Sequence, residues 1–559
     1  MDSWSDVGRT GYFKIGILKM NGFSLLGGIA DIGLLDWFVC LGYLLLVVSL
    51  GLWFSHDQSS NDDFFLGGRN MHWMPVGLSL FATTMSSNSF VGLPAEGAFG
   101  NYHQLLAILF IPFVIVPIVC YWFIPFYKRM GSVSLYEYLE RRFNREVRLF
   151  ASAVFMFYSA GWMATMLVAV SRILKVVLET DSNTDIMLMI VVVGALATLY
   201  TAVGGVKAVI WTDTIQAFAL GGGLFVLLFY IVSQIDGGWS EIYTLGVDAD
   251  KFEMFSTKGG WGERNFFSAC AYGFVIYLGA QIATYGGFQR YVTVDTIADA
   301  RRSLYVKGAF TLFACTLFFL VGTTLYVFYQ QSPDTVVLFE DMADGKAKDE
   351  LLPHFVINYA TGFGMTGLLL AGLFAAAMSS LDSGINSMTA SFVTDWRNGL
   401  EVGVTVNRIC TLVFGAIVTT AAVILVHVNS PVFDMLLAIA GASFGLLLSA
   451  LLLGMFCPRA NVVGVTVGMT AGVAVFCFIR LYTTLSEPDD LHWLGNFAEI
   501  KHNTWWDGLF TTVTALTVGL SVSYLTEPPP AEQLGDLLLL NERRSHQRRC
   551  SQNISRVKE

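Results

Sequence analysis

The sequence predicts an all-α integral membrane protein with about 13 transmembrane helices. Of its 559 residues 54% are hydrophobic and only 14% are charged, whereas soluble proteins carry about 25% charged residues. Mostly apolar runs of about 20 residues, the length that crosses a bilayer, recur along most of the chain. We therefore interpret residues 35–527 as one membrane domain, with an N-terminal segment 1–34 before it and a tail 528–559 after it.

The candidate membrane spans follow one another with short connections. In chain order they cover residues 35–54, 74–99, 104–127, 149–175, 186–203, 208–233, 266–288, 308–330, 355–395, 405–428, 431–456, 460–482 and 508–526. Segment 355–395 is too long for one crossing, so we expect a short lead-in helix before the span proper.

The placement of Lys and Arg predicts the orientation of these spans. Basic residues are concentrated in the connections after spans 3 and 7 and in the C-terminal tail, which lie on one side of the membrane under this count. The connection 340–350, on the other side, is rich in acidic residues. The positive-inside rule then predicts a cell-membrane protein with its N-terminus outside and its C-terminus in the cytoplasm.

Span 2 is predicted to be broken near its centre. Residues 83–89 are mostly Ser, Thr and Asn, and Gly92 and Pro94 follow them. Polar side chains are costly in hydrocarbon, so these must face protein, water or a ligand. A break would free backbone carbonyls and a half-helix end to bind an ion. The alternative is a packed helix interface of small residues.

Span 9 contains a second unusual stretch. Ser379, Asp382, Ser383 and Asn386 are spaced at i, i+3, i+4 and i+7, which places them on one face of a helix. A carboxylate within a span indicates a functional site. Oxygen ligands suit a hard cation, and the absence of imidazole and thiolate from this stretch disfavours zinc or copper.

Two other spans hold candidate functional residues. Asp213 lies near the cytoplasmic end of span 6, where it is either part of a site or a structural ion pair with Lys207. In span 7, Tyr277, Gln281 and Thr284 are spaced at i, i+4 and i+7 and would line a cavity from one helix face.

Five stretches carry a family pattern. They are GRNMHWMPVGLSLFATTMSS from Gly68, SLYEYLERRFN from Ser134, TLYTAVGGVKAVIWTDTIQ from Thr198, FQRYVTV from Phe288 and GLFAAAMSSLDSGINS from Gly372. With them the chain resembles the sodium:solute symporter family, of the sodium–glucose cotransporter superfamily. The resemblance implies a leucine-transporter-like core of two inverted five-helix repeats, about 74–233 and 266–456, with flanking helices. Spans 2 and 7 would be discontinuous, as in other transporters built this way.

The resemblance also implies sodium sites. The ligands of a common sodium site fall on Ala82, Met85, Ala376, Ser379 and Ser380. Those of a possible second sodium site fall on Asp213, Ser379, Asp382 and Ser383. Asp382 stands where family members usually have Ser, which either strengthens a cation site or creates a protonatable pair with Asp213.

The function implied is a sodium-coupled secondary active symporter of a small solute that works by alternating access. Ser89 and Ile108 stand where sugar-binding members carry amide and acidic groups, which argues against a hexose. The stretches LPAEGAFG and VIWTDTIQ resemble the branch that moves monocarboxylates, vitamins and iodide. We therefore favour a small organic acid or anion, although no buried arginine stands out as its partner. The candidate substrate contacts are Thr84, Ser86, Ser89, Tyr277 and Gln281.

Other functions stay open at this point. A symporter of sugar or another neutral solute, a transporter-fold sensor without net transport and a passive channel fit the same span pattern. Discontinuous helices with closed ion sites favour alternating access over a continuous pore. No phosphate-binding glycine loop, Walker motif or nucleophile elbow occurs in a connection, so we predict no enzyme. The expected partners are Na+, a small solute and the lipid bilayer, with no nucleic acid; the sequence predicts no oligomeric state.

Overall fold

All regular structure in the described part of the chain is helical. The computed structural model describes residues 33–54, 67–131, 134–180, 182–258, 261–344, 347–360, 364–397, 403–428, 432–485 and 503–539. The predicted all-α class is therefore confirmed. The predicted N-terminal segment lies almost wholly outside the described residues, and so does the basic end of the tail.

The helices that carry the fold follow the predicted spans closely. In chain order they are α1 (Leu34–Phe54), α2 (Trp73–Thr84), α3 (Ser87–Phe99), α4 (His103–Met130), α5 (Arg145–Val177), α6 (Asn183–Ser233), α7 (Phe266–Ile282), α8 (Tyr285–Thr293), α9 (Ile297–Tyr329), α10 (Met365–Ser391), α11 (Val404–Leu425), α12 (Val432–Phe456), α13 (Val462–Leu485) and α14 (Asp507–Leu525). Short helices in the connections include Leu351–Tyr359, which is the lead-in helix predicted before span 9.

The described helices make a multi-pass membrane protein. Nine of them are long and apolar enough to cross a membrane, or ten when the bent pair α7 and α8 counts as one span. Two predicted spans, 186–203 and 208–233, fall within the single helix α6, whose apolar parts are Asn183–Leu199 and Val206–Ser233. No proline interrupts this stretch, and continued helix satisfies backbone groups that a loop in lipid would leave unpaired.

Both predicted helix breaks are present. Between α2 and α3, Met85 and Ser86 adopt extended backbone conformations. Between α7 and α8 the axis bends by 54°. There the Thr284 side chain caps α8 by accepting a hydrogen bond from the Gly287 amide at 3.3 Å. Each break occurs at a hydroxyl residue, a type that favours helix caps over helix interiors.

The most buried helix is α10. It packs against α1, α2, α5, α6 and α11, and it passes the break between α2 and α3. The small residues Ala375, Ala376 and Ala377 are all buried, and small side chains let helix backbones approach closely in a membrane. This close approach brings the hydroxyl and carboxyl groups of α10 to the functional site.

Candidate ion and substrate site

The helix α10 contacts backbone carbonyls at the end of α2. The Ser379 hydroxyl donates to the Ala82 carbonyl at 3.1 Å and to the Ala376 carbonyl at 3.2 Å. The next hydroxyl, that of Ser380, donates to the Thr83 carbonyl at 3.0 Å. Carbonyls in the last turn of a helix have no partner within the helix, so the break leaves these oxygens free for α10 or for a cation.

This contact assembles part of the predicted sodium site. Ser379 contacts both Ala82 and Ala376. Ser380 instead contacts Thr83, which was not among the predicted ligands. Met85 lies at the break itself: its amide donates to the Phe81 carbonyl at 3.0 Å, and its side chain lines the neighbouring cavity. A hydroxyl can rotate its proton away and offer a lone pair, so the arrangement suits Na+ as well as hydrogen bonds.

Asp213 is engaged by a buried arginine. Its Oδ2 accepts a hydrogen bond from Ser79 at 2.5 Å and lies 3.5 Å from Nη2 of Arg290. Both charged side chains are buried, Asp213 at 0% and Arg290 at 1% exposure. The ion pair of Asp213 is therefore with Arg290 and not with Lys207, the alternative partner considered from the sequence.

Arg290, on α8, bonds to residues of three other helices, α2, α6 and α10. Its guanidinium donates to the hydroxyls of Ser79 and Thr83 on α2, each at 3.0 Å, and to the Ser383 hydroxyl on α10. It also donates to the Gly286 carbonyl within α8 at 3.2 Å. The sequence contained a signal for this residue, since Arg290 lies in the family stretch at the second helix break. No buried arginine stands out in the sequence as a partner for an anionic solute, yet Arg290 is buried and lines the cavity.

The four residues predicted for a second sodium ion face different neighbours. The Asp382 Oδ1 accepts a hydrogen bond from Thr201 of α6 at 2.5 Å, and among the described residues its Oδ2 has no partner. Ser379 faces the α2 break, whereas Ser383 and Asp213 both contact Arg290. The guanidinium therefore lies between two of the predicted ligands.

A cavity of about 170 Å³ lies between the two helix breaks. Four of the five predicted substrate contacts line it: Thr84, Ser89, Tyr277 and Gln281. The fifth, Ser86, is buried at the start of α3 and is not among the lining residues of this cavity. Four of the five residues predicted to contact the substrate therefore border one cavity.

Other lining residues were not predicted. Trp162, Tyr158 and Tyr272 give the cavity an aromatic wall, and Gln104 and Lys307 add polar groups. They come from α4, α5, α7 and α9, so their proximity depends on how the helices pack and no local pattern reveals it.

Tyrosine hydroxyls form hydrogen bonds with the backbone at the second helix break. The carbonyls freed at the end of α7 accept hydrogen bonds from three tyrosine hydroxyls: Gln281 from Tyr291 at 3.2 Å, Ile282 from Tyr127 at 2.6 Å and Ala283 from Tyr136 at 2.9 Å. Tyr291 also donates to the side-chain oxygen of Gln281 at 2.9 Å. These bonds satisfy the buried backbone and orient the Gln281 side chain at the cavity wall.

Comparison with known proteins identifies the family. Residues 64–472 match the model of the sodium:solute symporter family. The chain is 32% identical over 460 residues to the sodium/sialic acid symporter SiaT of Proteus mirabilis. The aligned part covers 79% of this chain and 90% of the relative. The chain is 29% identical over 528 residues to the sodium/sialic acid symporter NanT of Aliivibrio fischeri, covering 92% and 98% of the two chains.

A solved structure supports the same assignment. A Na+-coupled sialic acid symporter, in a substrate-bound outward-open state, superposes with a TM-score of 0.76 at 28% identity, covering 89% of this chain and 99% of that one. The human sodium/iodide cotransporter is a more distant relative, 29% identical over 469 residues, with 82% of this chain and 71% of the relative covered. The chain therefore belongs to the sodium:solute symporter family and is a multi-pass, Na+-coupled symporter of a small solute rather than an enzyme.

Proposed function

We propose that this symporter moves a small organic acid together with sodium by alternating access, with sialic acid as the first candidate substrate. One observation carries the proposal: a cavity lined by polar and aromatic side chains lies at the same helix break as the cluster of Ser379, Ala82 and Ala376. The ion and the solute would therefore bind side by side. Two relatives named for sialic acid transport supply the candidate substrate.

The common sodium ion would bind to Ala82, Met85, Ala376, Ser379 and Ser380. The first three would contribute backbone carbonyls and the two serines their hydroxyls, a set of oxygen ligands that suits a hard cation. Bound there, Na+ would fix α10 against the broken α2. Thr84, just before that break, and Ser89, just after it, both line the cavity wall. The position of the ion would thus determine the shape of the solute site. This would couple the binding of sodium to the binding of the solute.

A second sodium ion would bind to Asp213, Ser379, Asp382 and Ser383. In this conformation the Arg290 guanidinium contacts both Asp213 and Ser383. We infer that Arg290 must move before Na+ reaches those two oxygens. Asp382 already offers a buried carboxylate oxygen with no partner among the described residues.

The finer topology is proposed on the same basis. Thirteen crossings, two inverted repeats and an outside N-terminus with a cytoplasmic C-terminus agree with the charge distribution in the sequence. The placement of a helix break at the start of each proposed repeat, between α2 and α3 and between α7 and α8, supports the repeat assignment.

Replacing Asp382 by asparagine is expected to lower the Hill coefficient for sodium toward one while uptake stays sodium-dependent. The substitution keeps the size of the side chain and removes one of the two carboxylates proposed for the second ion. Uptake measured against sodium concentration in proteoliposomes checks this. Asp395→Asn is a matched control, because Asp395 is another buried carboxylate of the same span but pairs with Arg148. An unchanged Hill coefficient in Asp382→Asn would argue against the second site.

The substrate class is tested by uptake from a panel of labelled solutes. Proteoliposomes with an inward sodium gradient are given sialic acid, a short monocarboxylate, iodide and a hexose. We expect saturable uptake of sialic acid or another organic acid and none of the hexose. Uptake of the hexose alone would overturn the organic-acid assignment and leave the symporter assignment intact.

A further inference from the structure

The central cavity has two basic side chains and no acidic one in its described wall. Arg290 and Lys307 both line it, and its described lining contains no Asp or Glu. The charge of Arg290 is balanced by its ion pair with Asp213, which is not part of the cavity lining. No acidic side chain in the described part of the chain pairs with Lys307.

The side chain of Lys307 is isolated from the other polar groups that the structure describes. Its side chain, on α9, is 3% exposed, and it forms no hydrogen bond or ion pair with any described residue. Its charged neighbour is Arg290, which repels it. Because an unpaired charge is costly away from bulk water, this ammonium is suited to an anionic ligand that enters the cavity.

Other polar groups in the cavity wall also lack partners among the described residues. Thr311, one helical turn further along α9, lines the cavity, and its hydroxyl is buried with no hydrogen-bond partner in the described part of the chain. Residues four apart share one helix face. The Ser387 hydroxyl and the Gln104 side-chain oxygen are also unpaired and belong to residues in the wall. Such buried groups require a ligand or water.

We propose that Lys307 and Thr311 form an anion subsite that binds the carboxylate of the transported solute. An ammonium and a hydroxyl one turn apart can donate to the two oxygens of one carboxylate, and charge-assisted hydrogen bonds of this kind are strong. Arg290 already donates to α2, α8 and α10 and is paired with Asp213, so we assign the carboxylate to Lys307 and Thr311 instead. The remainder of the solute would face Tyr277 and Gln281 across the cavity. This inference rests on the proposed organic-acid function.

The test compares an acid with its uncharged analogue. Calorimetric binding to the purified symporter, at saturating sodium, is measured for the preferred acid and for its amide. Lys307→Gln is expected to weaken binding of the acid by roughly 10- to 100-fold, the usual range for one charge-assisted hydrogen bond. Binding of the amide should change far less, and Lys307→Arg should restore part of the affinity for the acid.

Lys251→Gln is the matched control. Lys251 is also buried, but it donates to the Ala98 carbonyl at 2.6 Å and does not line the cavity. Its loss should leave the ratio of acid to amide affinity unchanged. The sodium-induced rise in melting temperature should persist in Lys307→Gln, which shows that the variant folds and binds Na+.

Three results would overturn the inference. Equal losses for acid and amide in Lys307→Gln would show a structural role only. Chloride is the other anion that fits this chemistry; if acid binding by the wild type requires chloride and Lys307→Gln removes only that requirement, chloride occupies the subsite. If the wild type binds no acid at all, the proposed function fails first and the carboxylate subsite fails with it.

Discussion

Arg290→Met is expected to destabilise the protein by about 3–5 kcal/mol, the usual effect of removing one partner from a buried ion pair. It leaves the Asp213 carboxylate, which is 0% exposed, without its only cationic partner among the described residues. It also leaves the hydroxyls of Thr83 and Ser383 without their charged donor. Thermal unfolding of the purified protein in detergent measures the loss.

The double variant Arg290→Met, Asp213→Asn decides whether the ion pair is the cause. Removing both charges should recover a large part of the lost stability, because the uncompensated carboxylate is gone. A double-mutant cycle therefore gives a coupling energy well above the few tenths of a kcal/mol typical of independent sites. Arg302→Met is the control, since Arg302 is an exposed arginine paired with Asp299 within one helix, and surface pairs contribute about 0–1 kcal/mol. Additive effects of Arg290 and Asp213 would contradict this account.

Ser379→Ala is expected to raise the sodium concentration for half-maximal uptake by about 10- to 100-fold. The hydroxyl lost is the one that contacts both the Ala82 and Ala376 carbonyls. A hydrogen bond or ligand contact to a charged group contributes about 1.5–3 kcal/mol, and each 1.4 kcal/mol is about tenfold in affinity. Sodium titration of uptake in proteoliposomes measures the shift directly.

Ser391→Ala provides the control for that experiment. Ser391 is a buried serine of the same helix, bonded to Ser152 and Asp395 away from the break. Its removal should alter stability more than sodium affinity. Wild-type sodium affinity in Ser379→Ala would remove this serine from the proposed site, whatever the effect on stability.

The sequence predicted the features of the site that are local. A run of hydroxyl residues within an apolar span predicted the break after Thr84. The spacing of Ser379 and Asp382 placed both in one buried stretch. It did not predict that Ser379 would face α2 while Asp382 faces Thr201 of α6. A helix buried on every side presents neighbouring residues to different partners, and spacing alone does not identify them.

The charged lining of the cavity was missed for the same reason. Arg290 lies in the last turn of α8 and Lys307 in α9, and in the sequence they resemble ordinary basic residues at a cytoplasmic span end. Only the packing of α9 against α2 and α3 turns Lys307 toward the cavity. Arg290 lies in a stretch that carried the family pattern, whereas Lys307 lies in none of the five stretches.

The number of sodium ions determines what the membrane voltage contributes. A tenfold sodium gradient is worth about 1.4 kcal/mol, and 100 mV adds about 2.3 kcal/mol per net charge moved. One Na+ with a monovalent acid moves no net charge and uses only the concentration gradient. A second Na+ restores the voltage contribution, which makes the extra carboxylate of Asp382 consequential for uptake of an anion.

The central claim is that a sodium gradient drives accumulation of the solute. Proteoliposomes containing the purified protein, with sodium outside and none inside, are followed for uptake of labelled sialic acid and of the preferred organic acid from the panel. We predict an internal concentration above the external one that collapses when a sodium ionophore is added. Accumulation driven by a proton gradient without sodium would contradict the account, and so would uptake that only equilibrates across the membrane.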